Sequence, residues 1–544
     1  MKHLFLLLAG LAIAGPILAQ PASPTPPTFT WATASGVINQ LPGGVGGAAA
    51  HALATVTASG DLWLNLPDSV ATLYSGRGMG RQRLERRRPD GSLAYRRYLT
   101  GTSHLTQLRA APNGRLYLLG YFLNSLTLDA THTLTITGSN LPHDFIACLD
   151  ASGAVLYARD LTLNSGAAYS AAQTLAPGPA DEVYVALTRS TGTNNLVHRL
   201  DAQGNTLATI TQTGGGYISG IELDAQGTLF VTGTCVRTTG GSFNGTPVVP
   251  GVSGNGYNQY LACYEPSGSL RWVRFIGDFT CVDPQVRTDR AGGVYWLTTL
   301  YGPATLDGFS VPGPSNGGTE DFLLTRLNAA GAVQWMHDVA TTQSADAGMG
   351  HFFCLDTDAA GNAYLAGQTK GSIQWAPGVQ TAAGTSKDLL VQRISPLGIV
   401  EWARTAGSSQ GGVQAGTLAL APDGSVVVTG IGNGVTTLDG LQLPAVSRSH
   451  HFVARLTPAA PTATGQAATS QWQLGPNPAS SRLVLHAPAG AGPVQAVLLD
   501  ALGRELANTI DAVPGFDLSA LPAGLYFVRA RSAIGTWSGR VAKN

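Results

Sequence analysis

The chain has 544 residues, only 12% of them charged, and its 32 basic and 32 acidic side chains cancel. That balance gives neither nucleic acid nor an anionic membrane an electrostatic reason to bind the chain as a whole. With 69 glycines, 31 prolines and 44% hydrophobic residues, the composition excludes a disordered chain and favours many short strands joined by tight turns.

Residues 1–19 read as a signal peptide. Lys2 and His3 precede the apolar run from Leu4 to Ala14, Pro16 breaks any helix, and "ILA" (17–19) offers small residues for cleavage before Gln20. No later run approaches ~18 uninterrupted apolar residues, so the exported chain is expected to lack a membrane-spanning helix.

"FTWATASG" (29–36) stands alone. Its match is "VEWARTAG" (400–407), pairing Trp31 with Trp402, Ala32 with Ala403 and Gly36 with Gly407. Between the two, one signature sets a tight turn before a strand: "ASGDLWL" (58–64), "PNGRLYL" (112–118), "AQGTLFV" (225–231), "AGGVYWL" (291–297), "AGNAYLA" (360–366) and "PDGSVVV" (422–428). A degenerate copy is "ADEVYVA" (180–186). A second signature follows at a variable distance, as in "DFLLTRLNAAGAVQWMHD" (321–338), and places Tyr95, Tyr157, Trp272, Trp335 or Trp402 four residues after its turn glycine. Ala208 is the exception.

Each unit therefore reads strand, tight turn, strand, longer loop, strand, tight turn, strand. This is the pattern of a propeller blade, which buries both faces only against neighbouring blades. The expected fold is all-β: a seven-bladed β-propeller over residues 20–456. Its last unit ends in the proline-rich "HHFVARLTPAAP" (450–461), without a fourth strand, and residues 29–36 are expected to supply it.

Tight turns such as "DASG" and "NAAG" would share one face of the disc, and the long segments 125–143, 235–259, 302–320, 371–387 and 434–450 the other. Binding is expected on the long-loop face. Phe243, Tyr257, Phe309 and Trp375 are its candidate exposed aromatics, the alternative being that they pin the loops down. "TLDG" or "TLDA" sets Asp129, Asp307 and Asp439 in register, which fits a recurring turn better than an ion or sugar site.

Little else suggests chemistry. "GPSNG" (313–317) and "GSSQG" (407–411) fit G-x-S-x-G, but no helical pattern follows either. "DTDAAGN" (356–362) lacks the remaining ligands of a calcium loop. His450 and His451 are adjacent, so on a strand they point to opposite faces. No Cys/His spacing fits zinc. No metal and no cofactor are expected. Of five cysteines, Cys148 and Cys263 hold equivalent core positions, and Cys235 with Cys281 is the one pairing to entertain. Residues 77–97, "RGMGRQRLERRRPDGSLAYRR", could dock an anionic glycan or phosphate, although a solvated strand edge is the plainer reading.

A Pro/Ala/Thr-rich linker (457–471) leads to residues 472–544, which read as a compact β-sandwich. There "GPNPAS" (475–480), "VLLDALGRELANT" (497–509), "FDLSALPAGLYFVRA" (516–530) and "GRVAKN" (539–544) resemble the type A sorting domain of the type IX secretion system. The matching positions are Pro476, Asn477, Pro478, Asp500, Gly503, Arg504, Leu521, Pro522, Gly524, Tyr526, Arg540 and Lys543. The family often ends in a more lysine- and valine-rich strand than this one. The resemblance implies transport across the outer membrane, the secretion machinery and its sortase as partners, and removal of the tail near the linker. Release or attachment to surface lipopolysaccharide would follow. The upstream repeats look like secreted bacterial β-propeller repeats.

The expected function is a secreted or cell-surface binding or scaffold protein, monomeric and with no catalytic residues, taking a glycan or protein as ligand. The alternative is a hydrolase or lyase acting on extracellular polysaccharide. That would need two carboxylates within roughly 10 Å across a pocket, and Asp278, Asp283, Asp346 and Asp356 are the candidates.

Overall fold

The computed structural model describes residues 26–37, 52–68, 72–74, 77–162, 170–189, 194–237, 240–250, 257–278, 283–289, 292–314, 321–339, 346–350, 353–382, 384, 386–409, 411–443, 449–458, 472–476, 479–487, 494–500, 504–511, 514–532 and 535–544. The signal-peptide segment, residues 459–471 of the linker and Cys281 lie outside them, as does the side chain of Cys235. The chain divides into two compact units, Met1–Pro458 and Ala459–Asn544. The fold is all-β, and among the described residues no helix is long and apolar enough to cross a membrane.

In the first unit most strands pair antiparallel with their neighbours in the chain, the exceptions including a parallel contact of Asp321 with Ala347. One four-stranded sheet is Ile218–Leu223, Leu229–Arg237, Tyr257–Tyr264 and Leu270–Asp278. Another four-stranded sheet joins the two ends of the first unit: Thr28–Val37 pairs with Ser449–Thr457, followed by Val426–Asn433 and Gln414–Leu420. In its register Trp31 faces Arg455 and Ala32 faces Ala454. The 18-residue strand Leu93–Ala110 closes one antiparallel group and opens the next. Gly101 allows that passage, because at φ 125° a Cβ would strike the Ser125 carbonyl at 2.2 Å.

The tight turns share one construction. A residue's amide donates to the carbonyl four residues on, and the glycine three residues on donates back, as in Asp150/Ala154 and Gly153/Asp150. Most end in a left-handed glycine, with φ 95° at Gly153 and 79° at Gly331, while the turn from Gly178 to Glu182 has Asp181 at φ 59° in that place. Aspartate or asparagine suits the first position because its carboxylate or amide oxygen caps the turn. Asp150 Oδ1 accepts from the Ser152 and Ala154 amides, and Asn328 Oδ1 from those of Ala330 and Ala332.

The repeated aromatics lie at the contacts between successive groups. Trp63, Tyr117, Phe230, Tyr295 and Tyr364, three residues after their turn glycines, are all buried. Those four residues after the second glycine cover the next group's turn. A Cβ on Gly331 would meet Trp272 at 2.7 Å, one on Gly398 would meet Trp335 at 3.0 Å, and one on Gly91 would meet Trp31 at 3.3 Å. Two residues beyond the aromatic, an arginine reaches the same turn. Arg274 Nε donates to the Gly331 carbonyl at 2.8 Å, and Arg404 Nε donates to that of Pro27, also at 2.8 Å. Pro27 precedes Trp31 by the four residues that separate Gly331 from Trp335. Trp31 itself packs among Leu62, Leu64, Val427 and Val453.

In the second unit a three-stranded sheet (Gln473–Gly475, Arg482–His486, Gly515–Asp517) faces a four-stranded one (Glu505–Asp511, Val494–Leu499, Gly524–Ser532, Gly535–Lys543). Leu483, Leu485, Phe516, Leu498, Val528 and Val541 form the core between them. The alternation of buried and exposed residues along Gly524–Ser532 follows the two-residue period of a strand.

Candidate functional site

The first strand of each group lies against the first strand of the next. Polar side chains make those joints. The Ala110 amide donates to Thr55 Oγ1 at 3.0 Å, and the Leu175 amide to Gln107 Oε1. Ser219 Oγ donates to the Pro284 carbonyl at 2.7 Å, and the Cys354 amide donates to Gln285 Oε1 at 2.7 Å. The Leu420 amide donates to Asp356 Oδ2 at 3.1 Å, and the Ala54 amide to Thr417 Oγ1 at 3.0 Å. The last of these returns to the strand Leu53–Val56 that holds Thr55.

Two residues before each first tight turn stand Thr55, Arg109, Ala176, Glu222, Arg287, Asp356 and Ala419. Four of them form a charged cluster. Arg109 Nη2 donates to Glu222 Oε2 at 2.6 Å. Arg287 lies 3.3 Å from Glu222 Oε2 and 3.8 Å from Asp356 Oδ1. The small residues Thr55, Ala176 and Ala419 leave room for these long ones. Burial raises the Asp356 carboxyl above its ordinary value, with Arg287 pulling it back. Burial lowers the Arg287 guanidinium, and Arg109 adds to the effect against Glu222 and Asp356. The Asp356 side chain is still 31% accessible.

Of the four candidate carboxylates, Asp356 is thus engaged by Arg287 and by two amides, those of Leu420 and Thr357. The side chains of Asp278 and Asp346 lie outside the described residues, and Asp283 is half-buried. Glu222, Arg109 and Arg287 were not anticipated. The signal that could have found them is a charged residue at one fixed place, two before the turn, in otherwise apolar strands.

The long segments hold hairpins that lie along outer strands. Gly241–Phe243 with Thr246–Val248 extends from Thr206–Thr213, where Gln212 pairs with Phe243. Thr436–Leu438 extends in the same way from Val400–Ser408. Phe243 is therefore no exposed aromatic: it is fully buried against Tyr260, with ring centroids 4.9 Å apart, because the hairpin seats it on the sheet. Trp375 is half-buried and stacked on Phe322, its Nε1 donating to Thr381 Oγ1 at 2.8 Å. Phe309 is exposed, and the Tyr257 side chain lies outside the described residues.

Asp307 and Asp439 make the same two-residue hairpin turn with the following glycines, at φ 51° and 84° and at 45° and 88°. Asp129 differs: its carboxylate caps a looser turn, accepting from the Thr131 and His132 amides. Desolvation opposes ionisation there, but these hydrogen bonds outweigh it and hold the carboxyl at about 2.

The arginine-rich run is largely consumed within the fold. Glu85, fully buried, is shared by Arg83, Arg87 and Arg96, while Arg81 pairs with Asp68. Arg86 lies over Trp63 and Arg97 over Tyr95, as Arg326 lies over Tyr295 and Arg274 over Trp272. His450 and His451 are both buried, and burial, reinforced by His450, pushes His451 down to about 4. Cys148 and Cys263 are buried free thiols, raised by burial to about 11 and about 12. Among the described residues no group of His, Cys, Asp and Glu could hold a metal ion.

In the second unit, Asp500 accepts from the Arg504 amide at 2.9 Å and from Arg504 Nε at 2.6 Å. The Tyr526 hydroxyl, on a buried side chain, donates to the Pro522 carbonyl at 2.7 Å. Leu521 follows a turn onto Leu518, and Gly524 opens the strand that holds Tyr526. Pro476 and Arg540 are exposed and Lys543 is half-buried, while Asn477, Pro478 and Gly503 lie outside the described residues.

No family model matches the chain, and no curated protein matches it. Solved structures resemble it loosely. PorZ, a surface component of the type IX secretion system of Porphyromonas gingivalis, is 10% identical with a TM-score of 0.29, over 90% of this chain and 74% of that one. The polysaccharide lyase Uly1 is 9% identical with a TM-score of 0.37, over 82% and 94%. The endosialidase of phage phi92 is 10% identical with a TM-score of 0.36, over 97% and 90%. Similarity at this level transfers neither activity nor ligand.

Proposed function

We propose that the chain is a secreted, surface-displayed binding or scaffold protein: a seven-bladed β-propeller closed by its own N-terminal strand and followed by a type IX sorting domain. The observation that carries the ring is the Arg404 contact with Pro27, which repeats the Arg274 contact with Gly331. It supports reading the N-terminal strand as a fourth strand, and the first-strand joint from Thr417 to Ala54 supports the same closure. A ring held this way is a rigid frame whose loop surface can vary independently. Phe309 and the residues around it remain the proposed contact surface. The sorting role rests on the residues from Pro476 to Lys543 that resemble that domain, and with it go export, the sortase and lipopolysaccharide as partners.

The test is a glycan array probed with the full chain, followed by assay of each retained glycan for new chain ends. Retention without cleavage supports a binding protein. New reducing ends with saturated non-reducing ends would overturn it in favour of a hydrolase, and new reducing ends with unsaturated non-reducing ends in favour of a lyase.

A further inference from the structure

The four-stranded sheet of the C-terminal unit buries one face only. Ala496, Leu498, Val528 and Val541 point inward, and the alternate residues point out. Leu525, Phe527 and Ile510 are 46%, 38% and 71% exposed. Register places Phe527 opposite Leu499, Arg529 opposite Val497 and Arg531 opposite Gln495. Arg540 lies opposite Phe527, and Ile510 lies opposite Gln495 in the row of Arg531, so apolar and basic side chains share the outward face along its length. Neither Arg529 nor Arg531 pairs with a carboxylate among the described residues. Glu505 sits opposite Leu499, in the row that holds Phe527 and Arg540, and accepts from Asn508 Nδ2 at 2.5 Å.

We propose that this face docks on an anionic lipid head-group surface. An exposed aromatic and two aliphatic side chains can enter the boundary of the acyl region, while the neighbouring guanidiniums stay at phosphate depth. Arginine suits that position, since its stem tolerates apolar surroundings and its fork matches a phosphate. A second copy of the chain fits less well, because stacking two such faces would bring the arginines of both copies together. The neutral balance of the whole sequence conceals this local asymmetry. The proposal is independent of the ring.

The test is co-sedimentation of the full chain with vesicles of phosphatidylglycerol and phosphatidylcholine, against phosphatidylcholine alone, at low and high salt. Binding to the anionic vesicles, weakened by salt, is expected. R529Q/R531Q should weaken it by about fivefold per arginine, about 25-fold in all. L525S/F527S should weaken it roughly tenfold or more. Circular dichroism of each variant checks that the outward changes leave the fold intact. Failure of the unaltered chain to bind anionic vesicles, or equal binding by folded R529Q/R531Q, would overturn the proposal and assign the face to a protein partner.

Discussion

The Phe29 amide donates to Asp439 Oδ2 at 3.1 Å, across 410 positions of sequence. The same contact occurs within one group, where the Val333 amide donates to Asp307 Oδ2 at 3.3 Å. Phe29 precedes Trp31 as Val333 precedes Trp335, and both acceptors occupy the first place of the same hairpin turn. The hairpin tip thus holds the start of the adjoining outer strand, whether that strand comes from the same stretch of chain or from the far end.

Asp439→Ala should cost about 1–2 kcal/mol, from the lost hydrogen bond and from placing alanine at positive φ. Asp439→Asn keeps an acceptor and tolerates that backbone, so a smaller loss is expected. Urea unfolding of both variants measures this. Equal stability of Asp439→Ala and the unaltered chain would remove the role given to Asp439.

Gly91→Ala should destabilise by about 1–2 kcal/mol, because φ is 84° and the Trp31 ring lies over the site. Part of that loss should disappear in a Trp31→Ala background, leaving a coupling of at least about 0.5 kcal/mol. A double-mutant cycle with no coupling would show that Trp31 does not rest on this turn in solution.

The charged cluster predicts a compensating pair. Arg287→Gln alone leaves Glu222 and Asp356 short of a partner and should cost about 2–3 kcal/mol, while Arg287→Gln with Asp356→Asn should recover part of it. Because burial raises the Asp356 carboxyl, the folded chain takes up this proton more readily than the unfolded one. Its contribution to stability is greatest below pH 3.8 and is lost as pH rises through the folded value. Asp129, held at about 2, has the opposite sign: its contribution is present above 3.8 and is lost as pH falls toward 2. Stability measured against pH for Asp356→Asn and Asp129→Asn should therefore depart from the unaltered chain in opposite directions.

Tyr526→Phe removes one partly buried hydrogen bond to Pro522 and should cost about 1 kcal/mol. Thermal unfolding of the full chain, followed at the C-terminal unit, would show it. No loss would mean that the hydroxyl is satisfied equally well by water.

The strand rhythm was legible because each turn glycine is required by a left-handed backbone and each aromatic by a buried contact. The end-to-end strand was legible for a related reason: Trp31 carries the residue pattern of Trp402. The charged cluster was not. Glu222 and Arg109 come from distant groups, and only the curvature of the fold brings them to 2.6 Å. Phe243 was misread because loop length alone does not say that a hairpin lies down on the neighbouring strand. The arginines of 77–97 looked like a surface patch because the burial of Glu85, which draws three of them inward, has no sequence signature.

The pairing of Thr28–Val37 with Ser449–Thr457 also bears on the order in which the protein can be built. A chain made from its N-terminus presents this strand more than four hundred residues before its partner. Until then Trp31 and its neighbours have an open edge, which a factor that shields nascent chains would cover.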